Sequence, residues 1–279
     1  MMRGVFDAHG VQLSNSMLYG ASGYAFVIHI HPELCPSSPY TWKREAVFEG
    51  FARLGVRVND LGFFDSRATP DQRAAVEAFL RSEVDAGRPP GLINLEFQVV
   101  LGYDNEGFSL SQPWDMDFPP QRLSCGTWME FGSEPHANFF GFKRVAPLPL
   151  RETIRRSLEL AVGLYDHPQQ LASEHCGLGP NAYALWREAI GAHGRSHGHW
   201  WNAMVWGEGR RQTAAYFREI NQYFPESDVE LIAAKYEKIS DTLQAVANRD
   251  LDPLDQEELI VLASHLEREA VEEIRGLLS

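Results

Sequence analysis

Residues Gly91–Gln112 read GLINLEFQVVLGYDNEGFSLSQ, and the fold class turns on this stretch. Asn94, Glu96 and Gln98 alternate with Leu95, Phe97 and Val99, the two-residue period of a strand with one polar and one apolar face. Asp104–Gly107 (DNEG) supplies turn chemistry, so the GFSLSQ segment beyond it is expected to return as a hairpin partner. Gly126–Gly132 (GTWMEFG) and Asn138–Val145 (NFFGFKRV) are further strand candidates. Strands that follow helices predict an α+β domain with a mainly antiparallel sheet.

The helices lie on either side of this run. Thr41–Gly55 is expected to be a helix capped by Thr41 and ended by Gly55, with a short strand at Val56–Asp60. Thr69–Gly87 carries clear punctuation: Thr69 as cap, Pro70 in the first turn, Gln72 to complete a capping box, Gly87 as stop. Its apolar face is Val76, Phe79, Leu80 and Val84. Two prolines in Lys143–Glu152 (KRVAPLPLRE) mark a change of character near Ala146. Beyond it, Ile154, Leu158, Ala161, Val162 and Tyr165 keep helical spacing. So does the Val229–Val246 series, after a capping box of Ser227 and Glu230, and so does the helix opened by Asp252 and Pro253. The expected division is an α+β domain over 1–145 and a helical bundle over 146–279.

Composition excludes several classes. The chain has 279 residues, 44% hydrophobic and 23% charged, an ordinary globular balance. A net charge of −13 without any basic run disfavours nucleic acid as a partner. Cys35, Cys125 and Cys176 are odd in number and lack CxxC spacing, so they are expected as reduced thiols. The first residues lack the apolar core of a signal peptide, and no apolar run reaches the roughly 20 residues that span a bilayer. A cytoplasmic protein without a membrane partner is expected.

Three clusters carry candidate chemistry. In Gly23–Cys35 (GYAFVIHIHPELC), strand alternation puts His29 and His31 on one face and Phe26, Ile28 and Ile30 on the other. His29, His31 and Cys35 would be the ligands of a metal ion, against a reading of the histidines as pocket lining; no cofactor is otherwise expected. Ser22 would be a nucleophile only with His29 or His31 beside it as base. The second cluster, His193–Arg211, holds His193, His197 and His199 among glycines that suggest an exposed loop. Asn202, Trp206 and Arg210 then fall at four-residue intervals on one side of a helix, either as the wall of a ligand pocket or as a Trp anchor in the core. In the third, Glu96 between Asn94 and Gln98 would be a general base, a polar pocket wall, or part of a wet sheet face. No GxSxG, GxGxxG, P-loop or HExxH pattern is present.

The chain also carries, in order, Ser22–Phe26 (SGYAF), a helix ending in LGV at Val56, Ala86–Asp104 (AGRPPGLINLEFQVVLGYD), Ala182–Ile190 (AYALWREAI), Gly209–Ile220 (GRRQTAAYFREI) and Ala233–Leu243 (AAKYEKISDTL). In this it resembles the bacterial proteins related to the butirosin-biosynthesis acyltransferase H and to the bacteriocin-processing peptidases, a branch of the papain-like cysteine peptidase superfamily. The resemblance implies a papain-like domain followed by a helical bundle. That chemistry needs a cysteine at a helix start, a histidine opening a sheet strand and a following Asp or Asn. Here Glu96 stands at the histidine position, Gln112 precedes Pro113 where the acid belongs, and Gly23 takes the cysteine position of GASGYAF. The thiol–imidazole pair is missing, so the expectation is a pseudoenzyme that binds a small-molecule or peptide-like ligand in the cleft between the two domains. Ser22, Tyr24, His29, His31, Asn94, Glu96, Tyr103, Trp114, Asn202, Trp206 and Arg210 are the expected ligand contacts. One alternative is an acyltransferase or amide hydrolase of secondary metabolism, with Glu96, His29 or Ser22 as the catalytic candidates. A second is a non-catalytic scaffold that dimerises through its helices.

Overall fold

The computed structural model describes residues 1–94, 96–111, 121–128 and 137–279. Trp114, the Gln112–Pro113 pair, Leu95 and the Met129–Gly132 half of a predicted strand lie outside the described residues. In chain order the elements are α1 (Met2–Ala8), α2 (Asn15–Ser22), β1 (His29–Ile30), α3 (Glu45–Arg53), β2 (Val56–Phe64) and α4 (Pro70–Asp85). Then come β3 (Gly91–Asn94), β4 (Glu96–Tyr103), β5 (Gly107–Leu110), β6 (Arg122–Ser124) and β7 (Ala137–Arg144). The rest are α5 (Leu150–Asp166), β8 (Gly177–Leu178), α6 (Pro180–His193), α7 (His197–Ile220), α8 (Val229–Val246) and α9 (Pro253–Leu278). The protein is α+β, its strand pairings are antiparallel, and its C-terminal region is helical. No helix among the described residues is long and apolar enough to cross a membrane.

The chain forms two compact units: Met1–Leu13 with Gly55–Pro147, and Ser14–Leu54 with Leu148–Ser279. The change of character near Ala146 falls at this junction. The expected 1–145 block differs, because Ser14–Leu54 belongs with the helices. Its α2 packs on α3 and α7 at two glycines. A side chain at Gly20 would enter the Tyr216 ring, and one at Gly50 would strike the Ser22 carbonyl.

Among the described residues, the sheet unit holds six strands in the order β2-β7-β3-β4-β5-β6. The Asp104–Gly107 turn forms as its residues predict, with the Asp104 carboxylate accepting from the amides of Glu106 (2.7 Å) and Gly107 (3.1 Å). The α4 capping box is also present: Thr69 Oγ1 accepts from the Gln72 amide at 3.2 Å, and Gln72 Oε1 accepts from the Thr69 amide at 2.9 Å. Val76 and Leu80 of α4 join Leu92, Val100, Phe108, Leu123, Trp128 and Phe139 in the core. Strand β2 is longer than the predicted Val56–Asp60 and carries a bulge, where Leu61 and Gly62 oppose the single residue Phe139. Gly62 adopts a φ of 97°, a conformation open to glycine at no steric cost.

In the helical unit, Phe217 of α7 stacks on Tyr236 of α8 at 5.8 Å, and Phe26 meets both edge-on. Three predicted starts shift. Helix α3 begins at Glu45, because a 3-10 turn over Ser38–Tyr40 and a Trp42 indole bond to the Pro39 carbonyl (3.0 Å) occupy the chain before it. Helix α8 is capped by Asp228 instead of Ser227, while Glu230 pairs with Arg218 at 2.9 Å. The predicted loop at His197–His199 is the first turn of α7, where Ser196 Oγ accepts from the His199 amide at 3.0 Å.

Candidate binding groove and imidazole centre

The Gly23–Cys35 segment is a strand only at His29–Ile30, which pair with Gly177 and Leu178. Before it, Tyr24–Phe26 forms a 3-10 turn after Gly23, whose φ is 89°. Strand alternation therefore does not govern the two histidines. His29 is sealed from solvent, while His31 is half-buried. Nδ1 of His29 donates to the Ser38 carbonyl at 2.8 Å. A carbonyl only accepts, so this bond fixes the proton on Nδ1 and leaves the Nε2 lone pair bare. That lone pair accepts from Ser173 Oγ at 3.0 Å and, more weakly, from the Ser173 amide at 3.4 Å. Burial lowers the His29 pKa, outweighing the Ser38 bond that would raise it. The imidazole is thus neutral at pH 7.

Neither histidine meets Ser22. Its hydroxyl is buried, donating to the Tyr19 carbonyl (3.1 Å) and accepting from the Tyr24 amide (3.3 Å). Tyr24 sits between the rings of Tyr19 and Trp42, at 5.3 Å and 6.0 Å. His31 Nδ1 accepts from the Glu33 amide at 3.1 Å, and Cys35 Sγ lies 3.0 Å from Ser37 Oγ. Both ring nitrogens of His29 are engaged, and among the described residues no three His, Cys, Asp or Glu side chains converge as a metal site needs.

The Asn202–Trp206–Arg210 series is an internal brace, not a pocket wall. All three are buried. The Asn202 amide donates to the carbonyls of Gly198 (2.8 Å) and Cys35 (3.1 Å) and accepts from Trp206 Nε1 at 3.3 Å. Arg210 Nε donates to Glu267 at 3.0 Å, and its Nη1 donates to the carbonyls of Val27 and Ala25. Tyr183 adds its hydroxyl to the same carboxylate. Burial alone would lower the Arg210 pKa, but the facing Glu267 carboxylate outweighs it and holds the guanidinium charged. This network clamps the backbone that leads into His29. His199 is equally structural: Nδ1 accepts from Trp186 at 3.1 Å and Nε2 donates to the Val246 carbonyl at 2.9 Å.

In the sheet unit, the expected wet face is buried. Asn94 stands opposite Glu96 and Leu92 opposite Gln98, so these four share a side with the core residue Val100. Asn94 is 1% exposed and Gln98 fully buried, and Ile93 and Val99 on the other face are buried as well. Gln98 Nε2 donates to the Ser111 carbonyl at 3.0 Å, and Asn94 Nδ2 has no hydrogen-bond partner among the described residues. Glu96 is half-buried beside them. Tyr103 braces β4 to α4, donating to Asp85 at 2.8 Å with Arg81 4.6 Å over its ring.

Sequence reasoning missed two features. One is Ser173, which is remote in sequence from His29 and belongs to no motif. The other is an apolar groove of about 310 Å³ lined by Leu61, Phe64, Gln72, Ala75, Val76 and Phe79. In a regular strand Leu61 and Phe64 would face opposite sides; the extra residue at the bulge turns both toward α4. The bulge sits on β2, at the edge of the sheet.

No protein-family model matches the chain, and a search of the curated proteins finds no match either.

Proposed function

We propose that the chain is a catalytically repurposed papain-like protein without cysteine-peptidase chemistry, and that the groove beside β2 takes an apolar group of a small-molecule or peptide-like ligand. The observation that carries this reading is the bulge-built groove itself. Five of its six lining side chains are apolar, and Gln72 is the polar one. It is an open recess of about 310 Å³, near the lower end of ordinary ligand sites. The α+β build with an antiparallel sheet and a helical C-terminal region suits a papain-like ancestry.

A ligand group that buries ~150 Å² of apolar surface gains about 4 kcal/mol. Filling the groove should therefore weaken binding at least about tenfold, since 1.4 kcal/mol is tenfold in affinity. The test is a fluorescence titration with a neutral naphthylamine dye, competed by apolar peptides and by apolar small molecules. Ala75→Trp is the variant, because Ala75 lines the groove yet is exposed. Saturable binding that drops in the variant supports the proposal, and the better competitor names the ligand class. Equal affinity in both proteins overturns it.

A further inference from the structure

We propose that Ser173 is a nucleophile with His29 as its general base, and that the helical unit hydrolyses esters whose leaving group departs as a stable anion. This site is independent of the groove and of any thiol. Its geometry has the three parts of an activated hydroxyl. Ser173 Oγ lies 3.0 Å from the bare Nε2 of His29. The Ser38 carbonyl, 2.8 Å from Nδ1, holds the ring and its tautomer, the part an aspartate plays in a catalytic triad. Burial keeps the imidazole unprotonated and so able to accept. Ser173 is half-buried where His29 is sealed, so it is the more accessible residue of the pair.

A turn follows Ser173. The Cys176 amide donates to the Ser173 carbonyl at 3.2 Å, closing a turn in which His175 has a φ of 63°. That is strained backbone for a histidine. Among the described residues, the Glu174 and His175 amides make no backbone hydrogen bond, and under the proposal they are the N–H groups that meet the oxyanion.

Burial of the base also restricts the substrate. His29 is 0% exposed, so its ring does not reach a leaving group in solvent. An amide requires protonation of the departing nitrogen, whereas an aryl ester releases a phenolate unaided. In the first step the Oγ–acyl bond forms while the hydroxyl proton passes to Nε2. The bond from the acyl carbon to the aryl oxygen breaks, its electron pair leaving on phenolate, and Nε2 holds the proton. In the second step hydroxide from solvent attacks the acyl carbon of the half-buried acyl-serine. Oγ leaves and recovers the proton held on Nε2, and the carboxylic acid departs. The sum is ester plus hydroxide to acid plus phenolate.

The full chain with p-nitrophenyl acetate tests this. The expected result is a burst of nitrophenolate approaching one equivalent, with an acetyl group mapped by mass to Ser173. Ser173→Ala should abolish the burst, and His29→Gln should slow it by about 100-fold or more. Mapping the acetyl group on the unaltered protein decides the matter even where a variant fails to fold. Acetylation of a lysine, histidine or cysteine instead, or no release above the buffer rate, overturns the proposal.

Discussion

Replacing Glu267 by alanine is the sharpest test of the brace that carries the His29 segment. Arg210 is fully buried, and Glu267 is 4% exposed. The carboxylate receives Arg210 Nε and Nη2 together with the Tyr183 hydroxyl. Without it, a guanidinium remains in the interior with only the Ala25 and Val27 carbonyls for partners. Breaking one side of a buried pair costs about 3–5 kcal/mol, because the stranded charge keeps its desolvation penalty. At 2–4 °C per kcal/mol for a domain of this size, the thermal midpoint should fall by about 6–20 °C. Removing both charges in Arg210→Met/Glu267→Leu should cost less than Glu267→Ala alone. Both variants strand the Tyr183 hydroxyl, and the double variant adds only the Val27 carbonyl, about 1–3 kcal/mol, because the Ala25 carbonyl keeps Thr213 Oγ1 as a donor. Chemical denaturation of the three proteins at pH 7 gives the comparison. A loss below about 1 kcal/mol in the single variant, or a double variant less stable than the single, would refute the reasoning.

Two further outcomes follow from the packing and the buried imidazoles. Gly50→Ala should destabilise the α2–α3 contact, because the new methyl would collide with the Ser22 backbone and force it to shift; an unchanged melting midpoint would contradict this. His29 and His199 are both held below the ordinary histidine pKa, by burial first. A depressed imidazole contributes stability that is fully present above the unfolded value near 6.5 and is lost as pH falls below it toward the folded value. The melting midpoint should therefore drop as pH falls below about 6.5, and less steeply in His199→Gln, which lacks one of the two groups.

Legibility in the sequence followed the range of the interactions. The α4 capping box spans Thr69 to Gln72 and the β4–β5 turn spans Asp104 to Gly107, so local chemistry was enough to read both. The α+β class followed from periodicity in the same way. The histidines went wrong because their partners are remote: His29 takes its tautomer from Ser38 and its acceptor role from Ser173, 144 residues away. Asn94 and Gln98 look like a wet face by polarity, yet register places them with Leu92 and Val100 in the core side. The Asn202–Trp206–Arg210 spacing was read correctly as one helix face. Which face it was depended on Glu267 and on the Val27 carbonyl, neither visible in the spacing. The groove escaped because one extra residue at Gly62 reverses the alternation of β2, and a bulge is only hinted at by a glycine within a strand pattern.

Photo-crosslinking addresses the binding groove most directly. An apolar peptide and an alkyl probe, each carrying a diazirine, would be irradiated with the full chain and the adducts mapped by mass. The account predicts saturable adducts within Leu61–Phe64 or Gln72–Phe79, competed by excess unlabelled ligand and lost in Ala75→Trp. Adducts confined to other segments, or labelling of the groove that Ala75→Trp leaves intact, would contradict it.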